Sequence, residues 1–198
     1  MNGSPQSREL LIFGFVFVIL GLGIFHQSIN SLLEYNRTAI SSGQIWRLVS
    51  CHFVHLNFLH TLLNTTGLIL CFAVFGTPKN PVWSCIYLIT LALFVSAGLF
   101  FFSPDVIYYL GLSGLLHGIL IHYLIVGFNR HRLIHELGIA FVVLKLVIEQ
   151  LPMFDVFYLQ NYIGDRVITE SHLYGAIGGL LWVVIQRQLT NAGQSTGH

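Results

Sequence analysis

Ser113 and His172 are the two side chains in this sequence best suited to act together in covalent chemistry. A serine hydroxyl is a weak nucleophile until a base takes its proton, and histidine titrates in the range that lets it do so. Ser113 stands in Gly111-Leu112-Ser113-Gly114, and His172 is followed by Gly175 and Gly179. His60 and Asn64 offer donors of the kind that stabilise an oxyanion, and they lie four residues apart. Together these residues support acyl transfer. Glu170, the acidic residue nearest His172, lies two positions away on another helical face. No carboxylate is therefore expected to orient the histidine, and the reading is a dyad.

The elements that must position these groups follow from solvent. Of 198 residues 55% are hydrophobic and 9% charged, and mean hydropathy is +0.74. A soluble domain carries about a quarter charged residues, so too little polar surface exists here to cover a water-exposed globule. A bilayer is the expected solvent. Six apolar stretches approach the ~20 residues that cross a hydrocarbon core: 10–29, 53–76, 82–102, 111–128, 133–151 and 167–185. The fold class expected is an all-α membrane protein, a single domain over 1–198 built as a six-helix bundle. Ser103-Pro104-Asp105 reads as a turn, Pro152 stops the fifth span, and the tail from Gln188 reads as disordered. The first stretch lacks a small-x-small cleavage site, so it reads as a retained span rather than a signal peptide.

Positive charge sets orientation. With the N-terminus cytoplasmic, the inside segments carry Arg8, Lys79, Arg130, Arg132 and Arg187. The outside segments carry Arg37, Arg47 and Arg166 with Glu34, Asp105, Asp155, Asp165 and Glu170. Helices two, four and six then run inward from the outer face, and each has its polar residues in its first turns. At 1.5 Å per residue these lie roughly 5–15 Å below the surface. Polar groups at that depth face the bundle interior. The pairs Gly114/Gly118 and Gly175/Gly179 have the small-xxx-small spacing that lets two membrane helices approach closely, which would carry Ser113 to His172.

At these residues the chain resembles the rhomboid family of intramembrane serine proteases. The matching pieces are Trp46-Arg47, His55-x4-His60-x3-Asn64, Gly111-x-Ser113-Gly114 and His172-x2-Gly175-x3-Gly179. The resemblance implies Ser113 as nucleophile, His172 as general base, and His60 with Asn64 as oxyanion donors. It implies a Trp46-Arg47 loop partly in the outer leaflet, and supporting roles for Gly111, Gly114, Gly175 and Gly179. Many members have tyrosine four residues after the serine, where this chain has His117, which stacks on His172, shares a proton or fills space. Gly-Leu-Ser-Gly-Leu-Leu-His-Gly and the compact size are similar to the rhombosortase subgroup. That likeness implies a bacterial inner-membrane protein with its site toward the periplasm. Its partners would be membrane lipid and transmembrane substrates with a Gly-Gly motif, an apolar helix and a basic tail.

Other readings exclude or subdivide. Net charge of +1 argues against a nucleic-acid partner. Cys51, Cys71 and Cys85 have no metal-ligand spacing, and no metal or cofactor is expected. Haem between His60 and His172 would leave Gly-x-Ser-Gly unexplained. A catalytically inactive relative that binds transmembrane helices is the main alternative, although such proteins usually lose the serine or histidine. His52 and His55 read as loop anchors, and His122, His131 and His135 as chemically silent. Lys145 and Glu149 read as an i,i+4 ion pair inside span five, or alternatively as part of a lateral gate.

Overall fold

The computed structural model describes residues 5–77, 80–127, 131–151 and 166–195. It contains nine helices among these residues: α1 (Pro5–Ile24), α2 (His26–Leu33), α3 (Arg37–Ser41), α4 (Arg47–Ser50), α5 (Phe58–Phe75), α6 (Pro81–Phe102), α7 (Ser113–Val126), α8 (Arg132–Glu149) and α9 (Thr169–Ser195). Two short strands, β1 (Tyr35–Asn36) and β2 (Tyr108–Tyr109), pair antiparallel with Tyr35 opposite Tyr109.

The burial pattern differs from that of a protein folded in water by its exposed apolar side chains and its buried polar ones. Phe13, Phe17, Leu70, Val74, Phe101, Phe102, Leu133 and Phe141 are exposed, whereas Arg47, His52, His55, Thr61, Asn64, Ser96, Ser171 and His172 are buried. An apolar surface, with polar groups withdrawn into an otherwise apolar core, is what a lipid solvent favours. By length and composition, α5 and α6 can each cross a membrane. The expected first span is interrupted: α1 ends at Ile24, and the chain turns by 103° into α2. Polar His26, Gln27 and Ser28 fall at this bend, and His26 Nδ1 donates to the Gly23 carbonyl at 3.0 Å. At 14 residues, α7 spans only about 21 Å.

The tail expectation is corrected. Helix α9 continues through Gln188 to Ser195, because Gln188, Leu189 and Ala192 are all compatible with helix. Lys79, Arg130, Pro152, Asp155, Asp165 and His198 lie outside the described residues.

Two arginines hold the loops that precede the bundle's central helices. The last carbonyls of a helix lack intrahelical partners, and in an apolar solvent each must find one. Arg47 donates to the Ser31 and Glu34 carbonyls, Trp46 Nε1 to Leu32, and Ser50 Oγ to Leu33. The Trp46-Arg47 motif is thus a cap on the C-terminus of α2. Arg37 does the same for α6, donating to the carbonyls of Leu99, Phe100, Ser103 and Val106 at 2.7–3.1 Å.

Candidate functional site

Helices α7 and α9 meet backbone to backbone. A Cβ on Gly175 would collide with the Gly114 carbonyl, and one on Gly179 with the Gly118 carbonyl. A Cβ on Gly114 would sit 3.0 Å from the Ser171 carbonyl. The approach places the first turn of α7 against the first turns of α9.

In that contact Ser113 Oγ lies 3.0 Å from His172 Nε2. The other ring nitrogen, His172 Nδ1, is 2.9 Å from Glu149 Oε2. An ionised carboxylate only accepts hydrogen bonds, so Nδ1 carries the proton and Nε2 is left to accept from the Ser113 hydroxyl. This is the tautomer a general base needs. The expectation that no carboxylate reaches His172 is therefore corrected. Glu149 is far from His172 in sequence, but it ends α8, whose direction opposes α7 and α9 and brings its last turn to their first.

Glu149 is also paired with Lys145 Nζ, as the i,i+4 spacing predicts. Lys145 Nζ donates in turn to His117 Nε2 at 3.0 Å. Ammonium has no lone pair, so His117 carries its proton on Nδ1, which donates to the Ser113 carbonyl at 2.8 Å. The His117 ring stacks on His172 with centroids 4.2 Å apart and planes 18° from parallel. Of the three readings open for His117, stacking is the one observed. Ser113, His172, Glu149, Lys145 and His117 form a closed ring of contacts tying three helices together.

His60 and Asn64 stand on the first turns of α5, opened by Asn57, whose side chain accepts from the His60 N–H at 2.8 Å. They face Gly111, where an added Cβ would lie 2.9 Å from His60 Cε1 and 3.7 Å from Asn64 Nδ2. Gly111 has φ +129°, a conformation closed to most L side chains. Its N–H donates to the Cys51 carbonyl and its carbonyl accepts from Tyr109 O–H at 2.6 Å, so β2 and the loop after α4 fix the approach to Ser113. Asn64 Nδ2 and His60 Nδ1 are buried without hydrogen-bond partners among the described residues. Unspent buried polar groups are costly, and of the two atoms Asn64 Nδ2 is the one that faces Gly111.

A second Ser–His pair exists, and its protons run the wrong way for catalysis. His52 Nε2 is 3.1 Å from the Ala92 carbonyl and 3.0 Å from Ser96 Oγ. A carbonyl only accepts, so Nε2 is protonated and is no base. Ser96 donates its own proton to the Leu48 carbonyl at 2.7 Å, and both residues are fully buried. His52 anchors the loop after α4 to α6. His55 Nε2 accepts from the Leu112 N–H at 3.4 Å, and its ring packs edge-on against His60. His122 pairs with Gln186, and His135 donates to the Leu124 carbonyl, at the far end of α7.

The rhomboid domain model matches residues 42–189, which is most of the chain and includes every residue of this cluster. The chain belongs to the rhomboid family. It is also similar to the rhomboid protease GlpG of Haemophilus influenzae, with 26% identity over 191 residues covering 94% of each chain. With its apolar exterior, the protein is an integral membrane protein of that family.

Proposed function

We propose that this rhomboid is an intramembrane serine endopeptidase that uses Ser113 as nucleophile and His172 as general base. The observation that carries this reading is the 3.0 Å contact between Ser113 Oγ and a His172 Nε2 that must be unprotonated. As Oγ attacks a peptide carbonyl carbon, its proton passes to Nε2, and the oxyanion that forms needs donors. Asn64 Nδ2 and His60 are available for it, together with the Ser113 N–H, which lies in the first turn of α7 where helical N–H groups lack intrahelical partners. Collapse of the tetrahedral intermediate returns the proton from His172 to the leaving amine. Water then repeats the cycle on the acyl-enzyme. The similarity to a rhomboid protease supports the reaction class. The inactive-relative reading has no observation in its favour, since both partners are present and in contact.

The arrangement proposed is six spans with the N-terminus cytoplasmic and the site near the periplasmic face of a bacterial inner membrane. The substrate proposed is a transmembrane segment preceded by Gly-Gly and followed by a basic tail, as in rhombosortase-type sorting signals. The physical support is that a helical peptide bond is shielded, and each glycine weakens a helix by about 1 kcal/mol relative to alanine. Two in succession favour the unwinding that presents a carbonyl to Ser113. The protein reconstituted in liposomes is expected to cleave such a substrate and to lose about 90% of the rate when Gly-Gly is replaced by Leu-Leu, a change of about 1.5 kcal/mol in unwinding. Equal cleavage of both would remove the Gly-Gly specificity, and cleavage of neither, with Ser113 inert to a fluorophosphonate, would remove the protease reading.

Asn64→Ala tests the oxyanion assignment. Loss of one such donor costs about 10²–10³ in kcat, with KM little changed because the donor acts on charge that develops only in the transition state. A rise in KM at constant kcat would instead assign Asn64 to substrate binding.

A further inference from the structure

Glu149 is placed against several local preferences. An acidic residue in the last turn of a helix opposes the helix dipole, and Lys145 N-terminal to Glu149 is the less favourable order for an i,i+4 pair. Its side chain is 7% exposed, where an unpaired carboxylate would be strongly disfavoured. Helix stability therefore gives no account of a carboxylate here, whereas each of its two oxygens has a partner: Oε2 on His172 Nδ1 and Oε1 on Lys145 Nζ. The Lys145 ammonium meanwhile holds His117 Nε2, and the His117 ring lies flat on His172. His117, Glu149 and His172 converge closely enough to suggest a metal-ligand set, but the cation position between His117 Nε2 and Glu149 is already filled by that ammonium.

We propose that Glu149 is a positioning carboxylate for His172, and that Lys145 and His117 clamp it in place. The proposal rests on the protease reading and extends it from a dyad to a Ser113–His172–Glu149 relay. Glu149 holds Nδ1–H, which keeps Nε2 bare and aimed at Ser113 Oγ. When Oγ bonds to the substrate carbonyl carbon, the serine proton moves to Nε2. The imidazolium keeps its Nδ1 proton, and Glu149 stays ionised and stabilises that cation, as the acid does in serine protease triads. Lys145 keeps the carboxylate charge tolerable in a low dielectric and fixes its rotamer. His117 limits tilt of the imidazole by stacking and, through its bond to the Ser113 carbonyl, registers the ring to the nucleophile's own backbone.

The test is steady-state cleavage of a transmembrane substrate in liposomes by wild type, Glu149→Gln, Glu149→Asp and Lys145→Met, with melting temperatures measured in detergent. Glu149→Gln keeps the shape and loses the charge, and kcat is expected to fall about 10⁴-fold with KM within about twofold. Glu149→Asp restores the charge on a shorter arm and is expected to recover at least about tenfold over the Gln variant. Lys145→Met leaves the carboxylate on His172 but removes its clamp and one half of a largely buried pair, so it is expected to lower Tm more than Glu149→Gln does while losing far less kcat, about tenfold. A purely structural ion pair would make the Glu149→Gln and Lys145→Met losses equal and parallel to their losses in Tm, which would overturn the proposal. Wild-type kcat in Glu149→Gln would overturn it as well. Should Glu149→Gln fail to fold, the rate of Ser113 acylation by a fluorophosphonate in Glu149→Asp decides: slowed labelling at wild-type Tm supports the relay, and wild-type labelling overturns it. Inactivity of the wild type itself would count against the protease reading, a separate outcome.

Discussion

Ser113→Ala is expected to lower turnover of a transmembrane substrate by about 10⁵–10⁶-fold, the scale seen when a serine protease loses its nucleophile. The change removes one oxygen at a half-buried position and leaves His117 Nδ1 bonded to the residue-113 carbonyl, which alanine keeps. Fold and expression should therefore be unaffected, and Tm should move by no more than a degree or two. Cleavage assayed at matched protein levels in liposomes is the direct measurement. Labelling by a fluorophosphonate, mapped by peptide, supplies the second. Label should appear on the peptide containing Ser113 and vanish in the variant, while Ser96, whose proton is committed to the Leu48 carbonyl, should never carry it. Undiminished cleavage by Ser113→Ala would require a different nucleophile, and the His52–Ser96 pair could not supply it with the tautomer it holds.

How much of this was legible in the sequence depends on the distance over which each inference had to reach. Apolar stretches in the sequence point to helices α5 to α9, although among their described residues only α5 and α6 are long and apolar enough to cross a membrane. The glycine pairs 114/118 and 175/179 announce their own meeting, because the requirement for no side chain is local to each helix. Ser113 and His172 follow from those pairs. Glu149 does not. A search for an acid near His172 in sequence finds Glu170, which pairs with Arg166, whereas the acid that bonds the imidazole lies at the end of α8. Only the up–down order of α7, α8 and α9 brings that last turn beside the first turn of α9. The Lys145–Glu149 spacing is visible, but spacing alone cannot say that the same carboxylate has a second partner in His172. Arg37 is equally silent in sequence, since a guanidinium that satisfies four carbonyls at the end of α6 and in the loop after it looks like any loop charge until the loop is folded. The break after Ile24 was hidden for the opposite reason: a continuous apolar run through residue 25 masks the polar residues that let the chain turn.

The second large effect concerns the packing that makes the site possible. Gly175→Ala adds one methyl where the Gly114 carbonyl already stands. Backbone cannot rotate away as a side chain can, so α7 and α9 must separate or tilt. Overpacking of this kind costs about 1–3 kcal/mol, and Gly175→Val, which adds two further methyl carbons at the same contact, is expected to prevent accumulation of folded protein. The catalytic consequence of the alanine variant is larger than its stability loss implies. Gly175 lies three residues after His172 and Gly114 one after Ser113, so a shift at their contact passes directly into the Oγ–Nε2 distance of 3.0 Å. A displacement of about 1 Å can cost about 10²-fold in rate. Gly175→Ala should therefore lose about two orders of magnitude in kcat while a folded population remains, read by cleavage per unit of folded protein. Gly14→Ala is the matched control, because a Cβ there meets nothing within 4 Å and alanine is the better helix former; it should keep full activity with equal or slightly higher Tm. If Gly175→Ala also kept full activity, the helices would have to reach their close approach by some route other than the glycine contact. The meeting of Ser113 and His172 would then need a different physical cause.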